Sequence, residues 1–302
     1  MSRELFASRP ALRLRLFRTA FALGHSLPYR LGMMIAIIIG LAAWLIDGQG
    51  RSRVRRNLRP MLASSGLAHV ERSVRRSFVH CLMMFNEAFR LARLPGWLVS
   101  PQNIQIVDPW GVFAQPPLKG PAILCTIHCN WELLLAAGHH LGLIESIRVI
   151  SRSNLDPAID ELFDRMRASH SARSLLLERA PLASLRALRD QRLLGIVADR
   201  DYSGNGMVLP LAGHQVSLPV GPAALAVQSG APIIPVLLAR RGTSGFALLV
   251  AKPILPHPEL SKAEQLPILM HQLARVMDRF IHAVPSQWMA FHDVGGRSDP
   301  PI

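Results

Sequence analysis

Lysine is almost missing from this sequence. Only Lys119, Lys252 and Lys262 occur, so arginine supplies the rest of the 34 basic residues, which face 20 acidic ones and give a formal net charge of +14. Arginine presents a planar fork of donors that suits phosphate and carboxylate, whereas lysine is a compact point charge. A GC-rich genome, which favours arginine codons, explains the same bias without a ligand. With either cause, the surface is expected to attract polyanions such as nucleic acid or anionic lipid.

Cysteine and aromatic residues are also scarce, and each scarcity excludes a class of protein. Cys81, Cys125 and Cys129 have no CxxC spacing, which argues against a metal site and a disulfide framework and fits a reducing compartment. Aromatic residues make up 6% of the chain and form no basic, aromatic-rich strand, which argues against a nucleic-acid-binding protein. The absence of a G-x-S-x-G motif argues against a serine hydrolase of the α/β type.

One long segment carries no charge at all. Residues 31–46 are apolar and measure about 24 Å as a helix, slightly less than the roughly 30 Å core of a bilayer. The segment lies too far from the N-terminus for an ordinary cleaved signal peptide. Arginines on both sides favour a helix that lies at, or dips into, an anionic membrane surface. A buried core helix is the alternative, and the sequence leaves open whether the segment spans the membrane.

The rest of the chain alternates between short apolar runs and helical patterns, in a length of 302 residues that suits one large domain or two small ones. This alternation predicts an α/β fold with a mostly parallel central sheet flanked by helices, to which the N-terminal helices add a membrane-facing layer. The predicted strands are 122–128, 147–151, 193–199, 231–239 and 245–254. The predicted helices are 130–142, 156–169, 182–191, 221–230 and 261–282, with Asn130, Asp156 and Ser261 as N-caps.

A histidine ends the first predicted strand, where ligands bind in open α/β sheets. His128 is followed four residues later by Glu132, in the first turn of the next helix. A carboxylate on one ring nitrogen fixes the tautomer and leaves the other nitrogen to accept a proton from a hydroxyl. The sequence therefore predicts that Glu132 returns to the His128 imidazole. A His and a Glu at this spacing are also common as purely structural residues.

Two further polar clusters follow strands. Asp199, Arg200 and Asp201 come directly after strand 193–199 and precede a glycine-rich turn, an arrangement suited to a polar or phosphorylated substrate, although an ordinary turn with an Asp–Arg pair explains it too. The other cluster can bind phosphate or cap the helix that follows, and it consists of Arg152, Asn154, Arg165 and Arg167.

Several of these stretches together resemble a known family. HCNWELLLAAG (128–138), ADRDYSGNG (198–206) and the run from GPAALA to SGAPIIPV within 209–241 are similar to the bacterial lipid A biosynthesis acyltransferases, which transfer lauroyl or myristoyl chains. The phosphatidylinositol mannoside acyltransferases share the pattern. Pro285, Gln287 and Trp288 match a closing Pro-x-Gln-Trp element, and RRNLRPML (55–62) an Asn-Leu element, so the resemblance covers roughly residues 30 to 292.

The resemblance implies a membrane-associated O-acyltransferase at the cytoplasmic face of the bacterial inner membrane. It implies a thioester of acyl carrier protein or coenzyme A as donor, a glycolipid such as a lipid A precursor as acceptor, and no metal or other cofactor. His128 matches the family's base, Glu132 its acid and Asn130 the intervening Asn. Asp199 matches the acid of the second motif, and Arg165 or Arg167 the helix arginine.

Two features of the chain differ from the family pattern. Only Cys129 stands between His128 and Asn-Trp-Glu, where the family usually has two residues, and ADRD replaces the Asp-Gln of many lipid A enzymes. The ADRD sequence is more similar to that of the mannoside acyltransferases. The shortened His-x3-Glu spacing motivates an alternative, a catalytically impaired member that acts as a membrane scaffold. Whether the protein is an active enzyme or a scaffold, we expect a membrane-associating segment at 1–60 and the acyltransferase domain at 61–300.

Overall fold

The computed structural model describes residues 15, 17–19, 21–22, 24, 26–152, 157–177 and 180–295. Within them a seven-stranded sheet has the order β1-β9-β8-β2-β5-β3-β4. Every neighbouring pair is parallel except β8 and β9. The strands are β1 (Ile104–Val107), β2 (Ala122–Thr126), β3 (Ile147–Ser151), β4 (Ala172–Leu176), β5 (Leu193–Val197), β8 (Ile233–Arg241) and β9 (Gly245–Val250). The predicted mostly parallel α/β architecture is confirmed.

Eight α-helices are described from end to end, and further helical residues precede them between residues 15 and 26. The eight are α1 (Tyr29–Ile46), α2 (Gly48–Leu62), α3 (Leu67–Phe89), α4 (Trp131–His140), α5 (Pro157–Ala168), α6 (Ala180–Arg189), α7 (Gly221–Ser229) and α8 (Lys262–Ala283). Three elements have no counterpart in the sequence prediction, namely β1, β4 and a separate antiparallel hairpin of β6 (Met207–Leu211) and β7 (His214–Leu218). These strands are short and their burial is uneven, so alternation gives a weak signal for them.

Apolar side chains alternate between the two faces of the central strands. In β2, Ile123 and Cys125 belong to one hydrophobic core, whereas Ala122 and Leu124 belong to the core on the opposite face. A strand that is buried on both faces is typical of a parallel sheet covered by helices. Because β2, β5 and β3 are parallel neighbours, their carboxyl ends lie together at one end of the sheet.

The predicted helix caps have different outcomes. Ser261 caps α8 through a complete capping box with Glu264, as predicted. Asn130 does not cap α4, because it adopts a left-handed conformation (φ 47°) and its side chain makes no cap hydrogen bond. Its amide donates instead to the Leu238 carbonyl at 3.0 Å. The predicted cap Asp156 lies outside the described residues.

Helix α1 contains the uncharged segment and is long and apolar enough, by length and composition alone, to cross a membrane. It packs against α3 at Gly40, where an added Cβ would come within 2.8 Å of the Val79 Cα atom. The outward face of α1 leaves Met34, Ile38 and Leu45 exposed. The helix is therefore anchored to the folded chain along one side and apolar on the other, while the division at residues 60 and 61 stays a prediction.

A buried charged cluster joins α1 to the sheet. The Arg240 guanidinium on β8 forms an ion pair with Glu87 on α3, and each side chain is 1% exposed. Tyr29, at the start of α1, donates a hydrogen bond to Glu87 Oε1 at 2.7 Å. Buried charges persist only when they are paired and hydrogen-bonded, so these three side chains depend on one another.

We expect Arg240→Met to lower the stability of the protein by about 3–5 kcal/mol, because it leaves Glu87 buried without its cation. Thermal unfolding of the purified protein in detergent measures the loss. Arg241→Met is the matched control, because Arg241 is exposed on the same strand. The double variant Glu87→Met/Arg240→Met is expected to recover most of the loss, since it removes both charges. Equal stability of the Arg240→Met and Arg241→Met proteins would contradict this role of the cluster.

Candidate functional site

The register of β2 and β5 places two polar residues side by side. Thr126 pairs with Val197 in the parallel ladder, and the Ala198 N–H donates to the Thr126 carbonyl at 2.9 Å. Two residues further along, His128 and Asp199 leave the same sheet edge together. His128 Nδ1 lies 2.6 Å from Asp199 Oδ1, and the backbone N–H of His128 donates to that same oxygen at 3.0 Å.

The Asp199 carboxylate is buried and fully hydrogen-bonded. Its second oxygen, Oδ2, accepts a hydrogen bond from Trp288 Nε1 at 2.8 Å, and the Trp288 side chain is buried as well. Although burial acts in the opposite direction, the charge of His128 and these hydrogen bonds hold the pKa of Asp199 below its ordinary value. Asp199 is therefore ionised at neutral pH and fixes the proton of His128 on Nδ1.

The His128 imidazole is prepared to act as a base. Burial lowers its pKa below the ordinary value, and Asp199 only partly opposes this effect. The His128 side chain is 12% exposed, so the ring is largely screened from water but still lines the cavity described below. At neutral pH the ring is neutral, and Nε2, the nitrogen that does not face Asp199, is its unprotonated nitrogen.

The structure corrects the expected partner of His128. Glu132 does not hydrogen-bond to the imidazole; Arg167 Nε contacts both Glu132 carboxylate oxygens at 3.2 Å. The left-handed turn at Asn130 changes the direction of the chain between His128 and α4, and Asp199 arrives from the neighbouring strand. The sequence indicated both acids, but it could not indicate which strand lies next to β2. The catalytic roles of His128 and Glu132 stay predictions.

A cavity of about 930 Å³ opens beside His128. At the carboxyl ends of the strands its walls are polar, with Arg152, Arg200, Asp201 and Tyr202. From there it follows the sheet as far as the amino end of β3, where its walls are apolar and include Leu124, Leu135, Leu143, Ile144, Ile147 and Val236. Its volume is at the upper end of the range for small-molecule sites. It is suited to a long apolar chain with a polar group beside His128.

Two arginines at the polar end of the cavity are held in different ways. Arg152 lies over the Tyr202 ring, with 5.1 Å from its guanidinium carbon to the ring centroid. The Arg200 guanidinium donates to the Met289 carbonyl through one terminal nitrogen, whereas its buried Nε has no hydrogen-bond partner in the described residues. Arg200 lines the cavity together with His128, and its positive charge contributes to lowering the pKa of the imidazole.

The remaining predicted site residues lie in different places and do not form one cluster. Asp201 organises the glycine-rich turn, because it accepts hydrogen bonds from the Gly206 N–H at 2.7 Å and from the Ser217 hydroxyl at 2.8 Å. The expected alternative, an Asp–Arg pair within the turn, does not form. Arg165 is exposed, pairs with Glu161 at 3.8 Å and does not line the cavity. Asn154 lies outside the described residues.

The segment after α8 was not predicted as part of the site, although its Pro-x-Gln-Trp element was recognised. Gln287 accepts hydrogen bonds from the Arg240 N–H at 2.8 Å and from the Asn130 amide at 3.3 Å. The Met289 N–H donates to the His128 carbonyl at 3.0 Å. Trp288 on Asp199 and Met289 on His128 therefore hold the two members of the His–Asp pair, while Gln287 holds the neighbouring Asn130. Their distance in sequence from His128 hides this contact from any local pattern.

The described residues contain no group of three or more His, Cys, Asp or Glu side chains that could hold a metal ion. The three cysteines are free.

Comparison with known proteins gives one clear match. The sequence profile of the family described as bacterial lipid A biosynthesis acyltransferases matches residues 15–294, which is most of the chain and includes both acids, the histidine and the Gln-Trp element. No curated protein matches the sequence. On the extent of this match, the chain belongs to the bacterial lipid A biosynthesis acyltransferase family.

Proposed function

We propose that this protein is a membrane-associated enzyme that transfers a fatty acyl chain from a thioester to a hydroxyl, or to the hydroxyl of a hydroxyacyl group, on a bacterial glycolipid. The observation that carries the proposal is the buried His128–Asp199 pair at the polar end of a long apolar cavity. Acyl transfer needs a base for the hydroxyl and an apolar wall for the chain, and this cavity offers both along one sheet.

The chemistry assigned to His128 is general base catalysis. Its Nε2 accepts the proton of the acceptor hydroxyl while the hydroxyl oxygen attacks the thioester carbonyl carbon. Asp199, which holds the Nδ1 proton at 2.6 Å, stabilises the imidazolium that forms. When the tetrahedral intermediate collapses, the carbon–sulfur bond breaks and the departing thiolate takes the proton from Nε2. The ester and the free thiol leave, and His128 returns to its neutral form.

Arg200 is the best-placed donor for the negative charge that develops on the carbonyl oxygen. Arg200 lines the cavity with His128, and its guanidinium donates a hydrogen bond to the Met289 carbonyl, so its positive charge is already held at this end of the cavity. Donors that are already oriented in a water-poor site stabilise an oxyanion more than flexible donors in water do.

The structure supports an active enzyme over a membrane scaffold. The scaffold hypothesis rested on the shortened spacing between His128 and Glu132. That spacing does not separate the histidine from an acid, because Asp199 supplies the carboxylate from β5. Glu132 instead forms a buried ion pair with Arg167 in the cavity wall.

The polar end of the cavity is suited to an acidic head group. Arg152 is exposed there and Arg200 lies beside the imidazole, and guanidinium groups bind phosphate and carboxylate through paired hydrogen bonds. We therefore propose a phosphorylated glycolipid acceptor, with a lipid A precursor favoured by the family. The Asp-Arg-Asp sequence keeps a mannosylated phosphoinositide as the second candidate. Acyl carrier protein and coenzyme A are both candidate donors. Acyl transfer from either thioester by the proposed mechanism requires no metal or redox cofactor.

The exposed face of α1 is the proposed membrane contact, at the cytoplasmic face of the inner membrane. Met34, Ile38 and Leu45 project from it, and α2, which follows directly, carries Arg56 and Arg59 on exposed positions. Apolar side chains gain free energy by entering the bilayer, and neighbouring arginines are attracted to its anionic surface, so both effects favour membrane binding of this part of the chain. This contact is compatible with either a spanning or a surface-lying helix.

We expect His128→Ala to abolish the accumulation of one acylated lipid class in cells. Mass spectrometry of lipid extracts measures this, because the acceptor then lacks a single acyl chain. His271→Ala is the control, since His271 is exposed on α8, away from the cavity lining. If the His128→Ala strain, expressed as the only copy of the gene, keeps a wild-type lipid profile while a gene deletion changes it, His128 is not the base.

We expect Asp199→Asn to lower kcat by about 10²–10⁴-fold with a small change in KM, because the imidazolium loses its counter-charge and its fixed tautomer. In the wild type, activity is expected to fall only when the pH drops below the ordinary pKa of histidine of about 6.5, since burial lowers the pKa of His128 and protonation removes the base. Asp199 raises that pKa, so the fall in the variant's residual activity moves to still lower pH. Steady-state kinetics across the pH range measure both effects.

Asp201→Asn serves as the comparison for Asp199→Asn, because Asp201 shapes the neighbouring turn without touching the imidazole. Its kcat is expected to fall less and its acid limb to stay in place. An Asp199→Asn enzyme whose kcat and acid limb match the wild type would refute the assignment of Asp199.

We expect Met34→Gln/Ile38→Gln/Leu45→Gln to release the protein from membranes without unfolding it, because these side chains are exposed on α1. Flotation with anionic vesicles measures binding, and circular dichroism checks the fold. Leu182→Gln/Val208→Gln removes exposed apolar side chains elsewhere and is expected to leave flotation unchanged. Unchanged flotation of the α1 variant would refute α1 as the membrane contact.

A further inference from the structure

A second cleft lies at the opposite end of the strands from His128. It has a volume of about 430 Å³ and is lined by the side chains of Arg148, Arg173 and Arg192 together with Ser146 and Ser171. These residues stand at or just before the first residues of β3, β4 and β5, whose carboxyl ends carry or adjoin the polar end of the acyl cavity. A five-residue strand spans roughly 13–17 Å, so the cleft is a separate site.

The sheet register brings the three arginines, which we call the arginine row, into line. Arg148 pairs directly with Arg173 across β3 and β4, and with Leu194 across β3 and β5. Alternation along a strand gives Arg192 the same face as Leu194, and Arg192 lines the same cleft. Neighbouring strands are about 4.8 Å apart, so three guanidinium-bearing side chains rise side by side from three adjacent strands.

No carboxylate within the described residues neutralises the arginine row. None of the three side chains has an ion pair or a hydrogen bond there, and the exposed Glu145 and Asp190, which neighbour the cleft in sequence, form no ion pair with them. By contrast, Arg55 pairs with Glu71, and Arg53 and Arg56 share Asp293.

The row carries an electrostatic cost in the absence of an anion. Burial lowers the pKa of Arg148, and the charges of Arg192 and Arg173 lower it further. Like charges placed directly opposite one another on neighbouring strands are destabilising. An anion in the cleft would remove this repulsion and accept hydrogen bonds from donors that have no partner in the protein.

We propose that the arginine row is a binding site for a ligand that carries two or more phosphate groups, distinct from the site of acyl transfer. Arginine forks bind phosphate oxygens in pairs, and the serine hydroxyls of Ser146 and Ser171 at the cleft can donate further hydrogen bonds. The length of the row favours adjacent phosphates over a single anion. The proposal is independent of the reaction assigned to His128.

Isothermal titration of the full-length protein in neutral detergent with inorganic pyrophosphate, at physiological salt, tests this site. We expect a saturable binding step whose Kd rises at least about tenfold in Arg148→Gln/Arg173→Gln/Arg192→Gln and stays unchanged in Arg152→Gln, because charge-assisted hydrogen bonds are lost only at the row. The matched control Arg72→Gln/Arg275→Gln/Arg279→Gln removes the same charge from exposed positions on α3 and α8 and is expected to keep the wild-type Kd. Thermal unfolding checks that all three variants are folded.

Repeating the titration in nanodiscs distinguishes the source of the phosphate. If discs of phosphatidylcholine with cardiolipin, a lipid with two phosphates, weaken pyrophosphate binding relative to pure phosphatidylcholine discs, the ligand of the row is a lipid head group. If the two discs give the same Kd, it is a soluble phosphate compound. The proposal is overturned if pyrophosphate does not bind, if the row variant binds it as the wild type does, or if the control variant loses as much affinity, which would indicate diffuse charge.

Discussion

The hydrogen bonds to the buried Asp199 carboxylate are the constraint on which the rest of the site depends. A carboxylate buried away from water requires partners on both oxygens, and here two distant parts of the chain supply them. His128, two residues beyond β2, contacts Oδ1, and Trp288, beyond α8, contacts Oδ2, while Asp199 itself lies two residues beyond β5. The pair is consequently assembled only when the sheet has formed and the C-terminal segment has closed over it.

The C-terminal segment also links this pair to the helix that follows α1. Asn57 on α2 is buried, and its amide donates to the Ala290 carbonyl at 2.9 Å, while its oxygen accepts the Val294 N–H at 3.3 Å. Two residues before Ala290, Trp288 contacts Asp199. The Asn-Leu and Gln-Trp elements of the sequence therefore meet in space, and together they give one continuous connection from the proposed membrane-facing layer to the imidazole.

The two ends of the parallel sheet differ in charge balance. At the carboxyl ends, the buried carboxylates have partners, with the neutral His128 beside Asp199 and Arg167 beside Glu132. At the amino ends of β3, β4 and β5, Arg148, Arg173 and Arg192 form no ion pair with any carboxylate that the structure describes. In a parallel sheet the carboxyl ends and the amino ends of the strands are separated by the length of the strands, so one domain can carry two chemically different sites.

The sequence by itself determined the α/β class, the apolar helix α1, the Ser261 cap of α8 and the position of His128 after a buried strand, because each depends on neighbours within a few residues. It also placed Asp199 after a strand and drew attention to the Gln-Trp element. Only the tertiary structure decided that Asp199, rather than Glu132, contacts His128, that Trp288 holds Asp199, and that Arg148, Arg173 and Arg192 form a row. These contacts depend on strand order and register, and pairing between strands far apart in sequence is set by packing of the whole sheet rather than by any local pattern.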